Sequence, residues 1–143
     1  MAVEARIARP EAVEDRLVMD TPERRAHWTG EPADVRIMHK ALGTDQLLVN
    51  VLVFEPGVRS RPHTHSYDQL LYYVSGTGVV AVDGGEDQIV QAGEFVLLPA
   101  GVVHMHGAAD DSPACHISMM RDVDNDFDPP LPAGWEKWRR PAV

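Results

Sequence analysis

The sequence predicts an all-β fold, an antiparallel barrel or sandwich. Three observations predict it. From Val35 to about Ile117, short apolar runs alternate with Gly, Pro and Asp turns. Those runs are rich in β-branched and aromatic residues, which suit a pleated, half-buried surface. Only one helix start is evident, and it is cut off quickly by Gly30 and Pro32.

In chain order, residues 1–34 form a polar, mixed N-terminal extension. Within it, Thr21 is placed to cap a short helix that begins at Pro22. Leu47–Phe54 is the first clear strand, closed by Glu55-Pro56-Gly57. Gln69–Val74 follows and is expected to end at Ser75-Gly76. Gly78–Val82 runs into Asp83-Gly84-Gly85, a hairpin signal. Phe95–Leu98 ends at Pro99-Ala100-Gly101, and Cys115–Met120 is the last strand. The barrel is therefore assigned to residues 35–120, followed by a tail over 121–143 that is rich in Asp and Pro. Its Asp122, Asp124, Asp126 and Asp128 alternate as in a calcium loop, but Phe127 replaces the turn glycine and Ala133 the closing glutamate. A solvated acidic tail is the reading, with Trp135 and Trp138 packing on the barrel or on a neighbouring subunit.

Composition narrows the function classes. With 143 residues the chain is the size of one domain with one core. A formal net charge of −9 argues against nucleic acid and against an anionic membrane surface as partners. The single Cys115 excludes an intrachain disulfide and a cysteine-rich zinc site, and it fits a reducing, cytoplasmic location. Met1–Asp20 is charged throughout and has no apolar stretch of signal-peptide length. No run approaches the roughly 18 apolar residues of a membrane span.

Chemistry concentrates in the histidines, five of which (of seven) fall between His63 and His116. His63 and His65 are two apart, so a strand points both imidazoles to one face. Gln69 keeps that parity if the strand continues, and offers a carbonyl oxygen. A fourth donor has to come from elsewhere, and His104, after the Pro99-Ala100-Gly101 turn, is the best candidate. His106 shares the parity of His104. Tyr67 and Tyr73 share the parity of the ligand strand; they either donate hydrogen bonds to a bound anion or simply pack. His27 and His39 lie outside the pattern and are read as surface or packing residues.

These segments resemble the two motifs of the cupin superfamily. Gly57, His63, His65, Gln69 and Gly76 fit the first, with Gln69 in place of the usual glutamate. Gly93, Pro99, Gly101 and His104 fit the second, with Ala108 in place of its asparagine. The resemblance implies a double-stranded β-helix, or jelly roll, holding one divalent transition metal on His63, His65, Gln69 and His104. The string His104-Met-His106-Gly-Ala, followed by Cys115-His116-Ile117, is similar to small bacterial cupins of two kinds: carboxymuconolactone-decarboxylase-like cupins and manganese-dependent cupin hydroxynitrile lyases. In that subgroup the histidine at the place of His116 is the acid–base residue.

The resemblance thus implies manganese first, with iron, zinc, nickel or cobalt as alternatives. It implies Lewis-acid and acid–base chemistry of the lyase, isomerase or cyclase type on a small oxyanion or carbonyl compound, with His116, His106 and Tyr67 as catalytic candidates. A dioxygenase and a non-catalytic metal or ligand binder remain as alternatives. A homodimer is expected from the habit of small cupins.

Overall fold

The computed structural model describes residues 2–121 and 124–143. Asp122 of the alternating aspartates lies outside the described residues. In chain order the elements are α1 (Pro22–Ala26), β1 (Asp34–Ile37), α2 (Met38–Leu42), β2 (Leu48–Phe54) and β3 (Thr64–His65). They continue with β4 (Gln69–Val82), β5 (Gln88–Gln91), β6 (Phe95–Leu98), β7 (His104–Ala108), β8 (Ala114–Met120) and β9 (Asn125–Asp126). Thr21 caps α1 as its chemistry predicts, its hydroxyl accepting from the Arg24 amide at 3.2 Å. Among the described residues no helix is long and apolar enough to cross a membrane.

Every strand pairing is antiparallel, and β4 organises them. Its first half pairs with β8 on one side and β6 on the other, extending through β2 to β1. Its second half pairs with β5 and β7. One 14-residue strand therefore belongs to both walls of a jelly roll. The turn expected at Ser75-Gly76 is instead a bulge inside this strand, where the register on β8 shifts between Tyr73 and Ser75. Gly76 sits at φ +73°, and a Cβ there would lie 1.9 Å from the Pro113 carbonyl oxygen. A glycine that bends a strand and one that ends it leave the same mark in the sequence. The Asp83-Gly84 hairpin is present, with φ of +50° and +78° and the Gly85 amide donating to the Val82 carbonyl at 2.9 Å.

The core lies between the walls. Phe54, Leu71, Tyr73, Val80 and Leu98 are buried there. The N-terminal extension joins this core through Trp28, while Val13 packs with Met38 and Val51 in a second cluster. The tail docks as well. Trp135 is buried against Ala81 and Met105, and its indole N–H donates to the Gly85 carbonyl at 3.2 Å. Asp124, Asp126 and Asp128 are exposed as a solvated acidic segment requires. The intervening Asn125 nevertheless pairs with His65 across β3 and β9, a pairing that the acidic composition hid.

Candidate metal centre

Four side chains of the sequence pattern meet at the mouth of the barrel. His63 and His104 face each other across an isolated antiparallel bridge, each amide donating to the other's carbonyl at 3.1 and 3.0 Å. Their ring centroids are 4.3 Å apart. His63 Nδ1 donates to the Arg61 carbonyl at 2.8 Å, and His104 Nδ1 to the Val102 carbonyl at 2.9 Å. A carbonyl can only accept, so both rings are fixed as Nδ1–H tautomers with a bare lone pair on Nε2. His65 Nδ1 lies 2.5 Å from the Asn125 side-chain oxygen, and its Nε2 is buried without a hydrogen-bond partner among the described residues.

Gln69 arrives by a different route from the one its parity suggested. The chain bends at Ser66-Tyr67 rather than continuing as a strand, and Asp68 ties that bend to the Ala100 amide at 2.9 Å. Gln69 then opens β4. Its amide nitrogen donates to Ser118 Oγ at 2.7 Å, which turns its carbonyl oxygen toward His104 Nε2 at 3.2 Å. Two acceptors thus face each other without a proton between them. Such a pair is repulsive unless a cation lies beside both. The orphaned His65 Nε2 makes the same demand. The residues present therefore fit a divalent metal.

His106 lies on the same side of β7 as His104, and ring nitrogens of His63, His104 and His106 lie within 4.8 Å of one another. His106 lines a cavity of about 220 Å³ that also contains His63, His65, Gln69 and Ser118. His116 does not line this cavity. It lies behind His106, packed on Phe54 and Tyr73, with its Nε2 3.0 Å from His106 Nδ1. His116 is thus held one ring back from the cavity, because the inward positions of β8 point into the core at this depth.

Tyr67 also stands apart from the other candidates. It is 45% exposed, outside the cavity, with the Arg121 guanidinium 4.7 Å over its ring. Parity fails for it because it sits in the bend. Tyr73 packs: its hydroxyl donates to the Gly107 carbonyl at 2.9 Å, and burial pushes its pKa up.

Three contributors escaped the sequence pattern. His27, read only as a surface or packing residue, stands 4.7 Å from the His63 ring, with its Nδ1 buried and unpartnered among the described residues. Phe127 packs on His27 at 4.7 Å, and Asn125 holds His65. All three come from the chain ends, where no periodic signal marks them. His39 is a packing residue as expected, bonded to the Val49 backbone.

Burial keeps these imidazoles neutral. Desolvation lowers His104 to about 4 and both His27 and His116 to about 3. It pushes His63 and His106 well below their ordinary value, with neighbouring imidazoles adding to the effect. Neutral rings are the form that ligates a metal.

The cupin-domain family model matches residues 50–120. The (R)-mandelonitrile lyase of Granulicella tundricola is 33% identical over 73 residues, 51% of this chain and 56% of the lyase. The chain thus spans little more than half the length of that curated relative. A cupin-like protein of Thermotoga maritima superposes with a TM-score of 0.65 at 30% identity, over 78% of this chain and 84% of that one. The polyketide cyclase RemF of Streptomyces resistomycificus superposes with a TM-score of 0.67 over 88% of both chains, and at 19% identity it speaks for the fold alone.

Proposed function

The chain belongs to the cupin superfamily, and from that premise we propose that it is a metal-dependent enzyme of the lyase, isomerase or cyclase type, acting on a small carbonyl or hydroxy compound. His63, His65, Gln69 and His104 are the proposed ligands, with manganese the first ion to test. The observation that carries the reading is the unprotonated pair of Gln69 Oε1 and His104 Nε2 at 3.2 Å, beside the unpartnered His65 Nε2. A divalent ion there, when bound, supplies a Lewis acid for a substrate oxygen.

The chain's own residues supply the proton chemistry. His106 presents a ring nitrogen to the cavity, and its Nδ1 shares one hydrogen with His116 Nε2. When His106 donates, its Nε2 is a bare base. When His116 donates, the His106 Nε2 carries a proton. In the first arrangement His106 Nε2 accepts a proton from a bound substrate and becomes cationic, its Nδ1–H still donating to His116 Nε2, and returning that proton restores the neutral pair. His116 acts in this proposal as a positioning residue. Gln69 adds no negative charge, so the ligand set leaves the charge of its ion uncompensated.

The relative's activity supplies the first substrate class, cyanohydrins. Purified protein should contain about one divalent ion per chain, and should release benzaldehyde from mandelonitrile with and without oxygen. Removing the ion with a chelator should abolish this activity. His106→Ala should keep the ion and lose about 10²–10⁴-fold in turnover, the range of a general acid–base residue. Turnover that required oxygen would point instead to a dioxygenase, and metal-free protein with full activity would sink the proposal.

A homodimer is proposed on an outward sheet face where Val74, Phe95 and Leu97 are 49%, 65% and 58% exposed and Tyr72 packs on Phe95. Light scattering that gives the monomer mass at micromolar concentration would remove it.

A further inference from the structure

Beside the metal cavity lies a second compartment of about 330 Å³, walled by Leu17, Trp28, Phe127 and the His27 ring, with Glu23, Arg24 and Arg140 at its mouth. Leu17, His27, Trp28 and Phe127 line both compartments. The two therefore meet across the His27–Phe127 pair, whose rings stand edge-on at 4.7 Å. On its own the inner cavity, at about 220 Å³, falls below the roughly 300 Å³ at which small-molecule sites begin. The outer compartment offers almost no polar lining. At its mouth Asp20 pairs with Arg24 at 2.7 Å, and the Arg140 guanidinium donates to the Glu23 backbone carbonyl at 3.4 Å.

Every wall residue of the outer compartment lies outside residues 50–120, the segment that matches the family model. The reacting centre is thus family equipment, while this compartment is built by the two chain ends.

We propose that the outer compartment is a substrate subsite for a neutral, ring-sized apolar body, and that His27 and Phe127 are specificity-determining residues at its junction with the metal cavity. The substrate's oxygen end sits among His63, His65, Gln69 and His106, and its apolar body runs past the His27–Phe127 pair along Trp28 and Leu17, which line both compartments. His27 suits the junction chemically, because its unpartnered Nδ1 makes it a polar marker in an otherwise apolar neck. This inference rests on the proposed metal site for the oxygen end only.

The test compares acetate with benzoate by titration calorimetry on metal-loaded protein. Both carry the same carboxylate, and only benzoate carries a ring. Benzoate should bind at least tenfold more tightly than acetate. Phe127→Ala, which removes one wall at a partly exposed position, should cut that advantage at least threefold. If the variant melts early, a crystal structure of the unaltered protein with benzoate decides instead: the ring should lie against Trp28 and Phe127. Equal affinities for the two acids, an advantage untouched in folded Phe127→Ala, or a ring lodged elsewhere would overturn the subsite. Acetate that binds metal-loaded and metal-free protein equally would instead count against the metal-site reading, so the two failures are told apart.

Discussion

The Gln69 amide donates its N–H to Ser118 Oγ, and its carbonyl faces the cavity beside His104 Nε2. Asn125 plays the corresponding part for His65, and removing an outer partner of this kind typically costs 10–100-fold in metal affinity. Asn125→Ala should therefore weaken binding by that factor while leaving the ligands in place, as measured by competition with a chelating dye. The protons of the site make a second prediction. His104 titrates at about 4 and His27 and His116 at about 3 in the folded chain, all below their unfolded value near 6.5. Between these limits the unfolded chain binds more protons, so stability is complete above pH 6.5 and falls as the pH drops toward 4. The Tm of metal-free protein should be level from pH 7 to 8 and decline steadily below about 6.5; a flat profile down to pH 4.5 would refute the burial of these rings. The proposed ligand residues were legible from spacing, because H-x-H and the Pro-x-Gly turn have few other uses together. His27 and Asn125 were not, since an isolated polar residue in a chain end carries no period.

At the scale of elements, strand type was legible and strand continuity was not. Phe95–Leu98 was found with its bounds, because β-branched and aromatic residues end abruptly at Pro99. β1 and β5 were missed, for each is four residues long and β5 has only Ile89 and Val90 as apolar members. The two runs read on either side of Ser75-Gly76 are one strand, kinked where Pro113 presses on the glycine. Gly76→Ala combines a positive φ with a backbone clash at 1.9 Å. It should destabilise by about 1–3 kcal/mol or more, read by urea denaturation, and the bend it disturbs links the strand half that carries Gln69 to the half that pairs with His104.

Over the whole molecule, the chain ends close the barrel. Trp28 enters the main core from one end, and Trp135 seals Ala81 and Met105 from the other. Trp135→Ala should cost about 3–5 kcal/mol, with a matching drop in Tm by calorimetry. Smaller loss would mean that the tail is dispensable to the fold. The reading of residues 121–143 as a solvated acidic tail captured the exposed aspartates and missed the docking, because charge pattern reports which residues face water and not which backbone segments find a strand to pair with.

The pairing of Asn125 with His65 joins residues sixty positions apart. Synthesis delivers His63, His65 and Gln69 first, His104 well afterwards, and the partner of His65 later still. All four proposed ligands thus precede in the chain the residue that steadies His65, so the set forms first and is made rigid when the tail pairs with β3.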